Sequence, residues 1–325
     1  MNDSSQSVAI ITVTYNAEEF ILDYLESIHR ILDVNSGFSA VLVDNASADS
    51  TVKKVQSYIE EAQLASRITC SPLEENIGFG RGCNAGAEIA SQQDVEYLWF
   101  LNPDTTMDIG AEQGLLNVFN SKKNSSFVGS TLKDENGVIR SGAFRFPTIR
   151  TTLLSASMLG ALAKIFPSRV STIPIENEVV EAEWLSGASF MVRSSAFADL
   201  GGFDPEYFLY YEEVDLFYRA YQHGHKILSS PDSVVFHASG ASTGINKRKN
   251  KEKPPRKPSY WFKSRRYFYL KNFGTLYFAC IDIAFIVGSL LKLMKNKKNG
   301  SPNIEPEHIL KDILNYSVVG SKTNH

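Results

Sequence analysis

Cysteine is scarce in this chain. Its three copies, Cys70, Cys83 and Cys280, are an odd number without paired metal-ligand spacing, which excludes a disulfide framework and a zinc site and fits a reducing compartment. Glycine is missing from Thr14-Tyr15-Asn16-Ala17, the turn after the first strand, where a dinucleotide-binding fingerprint would have to sit. A nicotinamide-dependent oxidoreductase is thereby disfavoured, although Gly78-Phe79-Gly80-Arg81-Gly82 imitates part of that pattern further on. The start, MNDSSQS, is polar, and the apolar run from Val8 to Val13 is too short and too strand-like for a signal peptide, so export is not expected. Acid is nearly missing from residues 245–298, which hold 15 Lys and Arg against Glu252 and Asp282. The net charge of -3 therefore hides an acidic body and a basic section. That section suits an anionic partner, phospholipid headgroups or nucleic acid, and reads equally as a solvated loop.

What is present is a sizeable core: 43% of the 325 residues are hydrophobic, enough for one large α/β domain with additions or for two domains. Val8 to Thr14 reads as a buried strand, followed by a helix in which Phe20, Ile21, Tyr24, Leu25 and Ile28 recur at helical spacing. A strand from Ala40 to Val43 leads into Asp44-Asn45-Ala46-Ser47, with Ser47 or Asp49 placed to cap a helix from Thr51 to Leu64. A third strand falls near Arg67 to Cys70, a glycine-rich turn from Asn76 to Gly82 opens a helix through Ala90, and Tyr97 to Leu101 is the fourth strand. Such alternation predicts a mainly parallel, doubly wound sheet. Further on, the spacing predicts a strand at Ala188 to Val192, a helix from Glu212 to Gln222 stopped by Gly224, and an apolar strand at Val234 to Phe236. The region from Thr131 to Glu183, with its apolar stretch Thr152 to Phe166, yields no reading.

Tyr97 to Thr105, YLWFLNPDT, runs an apolar strand straight into a turn carrying Asn102 and Asp104. A carboxylate at the carboxyl end of a buried strand, with an amide two residues earlier, can hold a divalent cation against a phosphate. Asn-Pro-Asp is also an ordinary turn sequence. Thr14, Tyr15, Asp44, Asn76, Asn84 and Asp104 all fall at strand ends or the helix starts after them, and so line one crevice suited to a nucleotide. The amide of Gly78 sits at a helix start, where phosphates bind. Each of these residues taken singly is as readily a cap or turn former.

Together these residues resemble the inverting family 2 glycosyltransferases of the GT-A fold, and more narrowly their bacterial rhamnosyltransferase-like branch. The motifs that carry the resemblance, over residues 8–240, are VAIITVTYN, VDNASAD, ENIGFGRGCNAG, LNPDT, WLSGASFMVR, GGFDPEYFLYYEEVDLFYR and VVFHASGAS. The resemblance implies a Rossmann-like, mainly parallel sheet flanked by helices. It implies a catalytic domain over 1–244, with a nucleotide-binding half (8–105) and an acceptor-binding half (106–244), and a C-terminal helical extension over 245–325. It makes Thr14, Tyr15, Asn16 and Asp44 nucleoside contacts, with Asn76, Gly78, Asn84 and Asn102 further along the donor site. Asp104 and His237 become ligands of Mg²⁺ or Mn²⁺. Trp184, Gly187 and Glu212 fall on the acceptor side, although Trp184 reads equally as a core residue and Glu212 as a complement to the helix dipole.

Two departures stand out. Many members carry Asp-x-Asp where this chain has Asn102-Pro103-Asp104, which implies a lower metal affinity. Glu213 stands where many carry Asp, so as general base it reaches about one methylene further. Asp215 and Arg219 are spaced to pair on one helix face, whereas Glu213 points elsewhere, and a helix N-terminus favours its ionised form. The implied reaction moves a sugar, L-rhamnose from dTDP-L-rhamnose being the first expectation and a UDP-hexose or other nucleotide-sugar the alternative. The acceptor is a glycan or lipid-linked oligosaccharide in cell-surface polysaccharide assembly. A noncatalytic sugar-nucleotide-binding protein of the same fold is the reading from another class. Trp261 to Tyr269 interleaves aromatics with cations, and Tyr277 to Met294 is apolar over 18 residues. Peripheral membrane contact through 245–298 is expected from them, on the inner face of the cell membrane in a cytoplasmic protein, and a core helix is the alternative. Nucleic acid is not expected, for no binding motif accompanies the basic residues.

Overall fold

The computed structural model describes residues 6–134, 136–158, 171–174, 177–238, 254–299 and 305–320. The chain forms two compact units. The first comprises the residues up to Phe144, Pro174–Phe208 and those from Glu212 to 246. Its strands are β1 (Val8–Thr14), β2 (Phe38–Asp44), β3 (Ile68–Pro72), β4 (Tyr97–Leu101), β5 (Thr105–Met107), β6 (Ser125–Lys133), β7 (Ile139–Arg140), β8 (Ala143–Phe144), β9 (Val180–Glu181), β10 (Trp184–Leu185), β11 (Ser189–Arg193) and β12 (Lys226–His237). The main sheet runs β3-β2-β1-β4-β11-β6-β12-β5. β1, β2, β3 and β4 are mutually parallel, as the alternation of strands and helices predicts.

The helices of this unit are α1 (Ile21–Val34), α2 (Thr51–Glu61), α3 (Phe79–Ala90), α4 (Ala111–Ser121), α6 (Ser194–Asp199) and α7 (Glu212–Gln222); α5 (Ile149–Ser157) belongs to the second unit. β1 is buried at all seven positions, which is why it reads as an unbroken apolar run rather than an alternating one. Ile21, Tyr24, Leu25, Ile28, Ile31 and Leu32 of α1 close over one face, in a core shared with Trp99, Leu115 and Phe119. α2 ends at Glu61, earlier than its sequence spacing predicts. Asp49 supports its start by accepting from the Thr51 amide at 2.9 Å, while Ser47 turns away to other partners. Gly224, with φ +77°, stops α7 as expected.

The second half of the sheet reverses direction in a way that positions the site. β11 is antiparallel to both β4 and β6, with Ser189 opposite Leu101. β6 therefore runs parallel to β4, and β12, parallel to β6, does too. The start of β11 and the end of β12 consequently share one sheet edge with the carboxyl ends of β1, β2 and β4. The apolar strand expected at Val234 to Phe236 is the end of a longer one, irregular between Ser230 and Val234.

The second unit comprises Arg145–Ile173, Leu209–Tyr211 and the residues from 247 onward. Its long helix α8 (Ser259–Asn299) is broken at Gly274, whose φ of +79° and ψ of 176° suit glycine alone. The chain turns back there, so that Arg265 meets Asp282 at 2.7 Å and Tyr269 stacks on Phe278. Burial lifts the Asp282 carboxyl above its ordinary range, and Arg265 works against that rise. α9 (Ile309–Asn315) packs Ile309 and Ile313 on Phe262. The aromatic and basic segment Trp261 to Tyr269, expected at a membrane, instead supplies the interior of this unit. Phe262, Arg265, Phe268 and Tyr269 are buried, and Arg266 donates to the Ser317 carbonyl at 2.7 Å. The expected apolar stretch Thr152 to Phe166 is helical through Ser157 in α5, and its residues from 159 on lie outside the described ones. Residues 245–253 of the basic section lie outside them as well.

Candidate active site

The edge shared by β1, β2 and β4 opens with a buried hydrogen-bonded carboxylate. Thr14 and Asp44 stand opposite each other at the ends of β1 and β2. Asp44 Oδ1 accepts from the Thr14 hydroxyl at 2.7 Å and the Ser47 hydroxyl at 2.6 Å, and its Oδ2 accepts from the Ser47 amide at 2.8 Å. A carboxylate oxygen takes two bonds readily, so Oδ2 keeps acceptor capacity for a ring N–H. Asn16, at φ +49°, is held from both ends: its amide donates to Ser47 Oγ and its side-chain oxygen accepts from the Ala48 amide. Tyr15 between them is exposed, with its ring available for stacking.

Asp104 and His237 meet at the same edge. β5 pairs with the end of β12 in a register that sets His237 opposite Thr105, the residue after Asp104, and His237 Nε2 lies 3.3 Å from Asp104 Oδ1. The Ala238 amide donates to the Asp104 carbonyl and fixes the register further. The two donor atoms are close enough for both to reach one divalent cation. Among the described residues no group of three His, Cys, Asp or Glu side chains gathers, so phosphate oxygens and water would have to complete its shell. Asn102-Pro103-Asp104 is at the same time a regular turn, since the Asn102 carbonyl accepts from the Thr105 amide at 3.2 Å and the Thr105 hydroxyl at 2.7 Å. The ordinary-turn reading is thus met, and it is compatible with a ligand role for Asp104.

Of the residues expected on the donor side, Asn84 and Gly78 also pack against the segment that leads into α7, and Asn76 holds the Gly78 amide. Asn84 Nδ2 donates to the Phe203 carbonyl and its Oδ1 accepts from the Phe203 amide, both at 2.8 Å. Asn76 Oδ1 takes the Gly78 amide, and the Phe79 amide goes to the Phe208 carbonyl, so these first amides of α3 are not directed at a phosphate. Gly78 is required for another reason: at φ +90°, a Cβ there would lie 2.3 Å from the Phe208 carbonyl oxygen. Gly80 lets α3 press on α7, for a Cβ there would meet Phe203 at 3.1 Å and Glu212 Cβ at 3.4 Å. The glycine-rich segment is thus a packing surface for the turn and helix that carry Glu212 and Glu213.

Asp215 is fully buried, bonded to Arg219 at 2.8 Å and to the Tyr207 hydroxyl at 3.2 Å, and Arg219 donates onward to the Leu200 and Gly202 carbonyls. This pair is structural, as its spacing predicts. Glu213 and Glu212 each have Oε2 buried without a hydrogen bond from the protein. Burial raises both carboxyls above their ordinary range, and the Glu213 charge pushes Glu212 up further. Desolvation of Glu213 thus works against the helix N-terminus, which favours its ionised form. Tyr210 and Tyr211, the two residues before Glu212, hold φ of +69° and +68°, a costly conformation for aromatic residues of the kind that clusters at functional sites.

In β10, Trp184 is half-buried and stacks on Phe144 of β8 with ring centroids 4.4 Å apart, so one of its faces is covered. At Gly187 a Cβ would approach the Phe79 ring at 3.7 Å, an ordinary contact, so Gly187 is open rather than crowded. Sequence reasoning missed Ser47 as a partner of both Asp44 and Asn16. It also missed Asn45, whose Nδ2 donates to the Gly78 carbonyl at 3.1 Å. Both lie in the motif VDNASAD, whose density of short polar residues was the available signal.

The chain is similar to several known proteins. The family Glycosyl transferase family 2 matches residues 9–155. The N-acetylglucosaminyl-diphospho-decaprenol L-rhamnosyltransferase of Mycobacterium tuberculosis is 28% identical over 249 residues, covering 72% of this chain and 77% of that protein. Rhamnosyltransferase WbbL of Escherichia coli is 26% identical over 239 residues, 71% of this chain and 82% of that one. Among solved structures, Staphylococcus aureus TarS 1-349 superposes with a TM-score of 0.56 at 17% identity, covering 96% of this chain and 81% of that one. The mannosyltransferase PcManGT of Pyrobaculum calidifontis, in complex with GDP-Man and Mn²⁺, gives 0.53 at 15% identity, over 92% and 77%. The structural likeness shows a GT-A-type fold, and the match over residues 9–155 together with the rhamnosyltransferase relatives supports a family 2 glycosyltransferase of the rhamnosyltransferase-like branch.

Proposed function

We propose that the protein transfers L-rhamnose from dTDP-L-rhamnose to a hydroxyl of a glycan or lipid-linked oligosaccharide in cell-surface polysaccharide assembly, with inversion at the anomeric carbon. The observation that carries the catalytic part is Asp104 beside His237 on the edge where Thr14 and Asp44 end, with Glu213 at the start of a helix seated on α3. Tyr15 stacks on the base, and Asp44 Oδ2 accepts its ring N–H. Thr14 and Asn16 hold Asp44 and its loop in place, and Asn102 fixes the turn that presents Asp104. Asp104 and His237 would hold a divalent cation, which when bound neutralises the diphosphate as it leaves. Glu213 takes the proton of the acceptor hydroxyl as that oxygen attacks the anomeric carbon. Trp184, Gly187 and Glu212 line the acceptor side.

The donor assignment draws on the relatives, both rhamnosyltransferases by name, one of them acting on a diphospho-decaprenol. A thermal-shift series with dTDP-L-rhamnose, UDP-glucose and GDP-mannose, each with and without Mn²⁺, tests it. Stabilisation by dTDP-L-rhamnose that needs the metal is expected. Stabilisation by another nucleotide-sugar in its place would overturn the donor assignment, and donor binding indifferent to metal would overturn the role of Asp104 and His237.

A further inference from the structure

After the break at Gly274, the second half of α8 shows two opposite faces. One is committed within its own unit: Phe278, Ile281, Asp282, Ala284 and Ser289 are buried, and Gly288 lies so close to α5 that a Cβ would come within 2.8 Å of the Leu153 carbonyl oxygen. The other carries Leu276, Ile283, Val287, Leu290, Leu291 and Met294, all exposed, with Leu276 at 81%, Ile283 at 60% and Met294 at 69%. At 100° per residue these six fall within one stripe, about 27 Å long for 18 residues at a 1.5 Å rise. Six large apolar side chains in one unbroken row are far more than the scattered exposed residues that a soluble surface normally shows.

The charges on this segment have one sign where they are exposed. Lys297 and Lys298 are exposed and project to either side of the same stripe at its end. The segment's one acid, Asp282, is buried against Arg265 on the opposite face. An apolar row ending in exposed cations, with no exposed acid on it, complements the surface of an anionic lipid layer, with acyl chains under the row and headgroups at the lysines. Spanning is disfavoured, because the packed face would carry the Arg265–Asp282 pair into hydrocarbon with it.

We propose that this stripe is a monotopic membrane-docking face, lying in the plane of an anionic leaflet with Leu276 to Met294 inserted and Lys297 and Lys298 on the headgroups. The inference deepens the reading of a lipid-linked acceptor by naming where the enzyme meets the membrane. Its test does not depend on turnover, so the two can fail separately.

The experiment is co-sedimentation of the full chain with vesicles of phosphatidylcholine alone and of phosphatidylcholine with phosphatidylglycerol in equal parts. The wild type is expected to pellet with the anionic vesicles and to be released by salt. Ile283→Ser/Val287→Ser/Leu290→Ser, at exposed positions outside the catalytic machinery, is expected to lose at least about tenfold in partition while keeping its thermal melt and its donor-induced stabilisation. Lys297→Glu/Lys298→Glu should weaken binding to the anionic vesicles and leave the weak binding to neutral ones unchanged. Absence of wild-type binding to either vesicle would overturn the proposal. So would a wild-type dimer in light scattering that the triple serine variant dissociates, which would assign the stripe to a second copy of the chain.

Discussion

Asn84 and Phe203, 119 residues apart, exchange two hydrogen bonds of 2.8 Å, the amide of one side chain closing on the backbone of the other residue. Through this clasp α3 fixes the turn that leads into α7, and so the position of Glu213. Asn84→Ala leaves the Phe203 amide and carbonyl without those partners and should cost about 2 kcal/mol of stability. As a positioning residue it should lower kcat and leave the donor KM unchanged. A raised donor KM with unchanged kcat would return Asn84 to the donor site.

Glu213 has to be ionised to take a proton, yet burial raises its carboxyl. The acid limb of kcat/KM should therefore lie above the ordinary glutamate value of about 4.3, with activity rising as pH rises through it. Glu213→Gln should reduce kcat by about 10² to 10⁴ and preserve donor binding. A variant that retains wild-type turnover in a coupled assay of diphosphate-nucleotide release would remove Glu213 from the reaction.

Two protein ligands make a weak cation site alone and a stronger one once phosphate oxygens join them. Titration calorimetry should show little Mn²⁺ binding to the free protein and clear binding in the presence of dTDP. Asp104→Ala and His237→Ala should each remove at least about tenfold of the metal-dependent gain in dTDP affinity, about 1.4 kcal/mol, and leave the metal-free affinity as it was. Equal dTDP affinity in wild type and both variants with Mn²⁺ present would show that the pair does not hold the ion.

The first half of the sheet was legible because β1 to β4 are local runs, each followed by its own helix. Its second half was not, since the order β4-β11-β6-β12-β5 is set by pairings between residues far apart in sequence, and no local pattern encodes register. For the same reason the residue types of the site could be read, whereas the contacts of Asn84 and Gly78 could not: their partners, Phe203 and Phe208, lie in the segment before α7. The region from Thr131 to Glu183 resisted reading because its strands β7 to β9 are two residues each, too short for any periodicity to register. The break in α8 did leave a mark, Gly274 within an otherwise helical run, but a glycine alone does not distinguish a kink from a tolerated interior residue.

Glu212 offers a test of what the site costs the fold. Its carboxyl is buried at the start of α7, raised by that burial and then by the Glu213 charge. In the unfolded chain it titrates near about 4.3, so above that pH the folded chain binds more protons than the unfolded one and stability falls as pH rises toward the folded value. Glu212→Gln removes one titrating group and the repulsion with its neighbour. Denaturant melts should show the variant gaining on the wild type by about 1.4 kcal/mol for each pH unit of that window, with little difference at about pH 4. The same substitution relieves Glu213, whose acid limb in kcat/KM should move toward lower pH. If the stability difference were flat between about pH 4 and 8, the two carboxyls would not be charged against each other in the folded protein, and Glu212 would be an ordinary hydrogen-bonding residue.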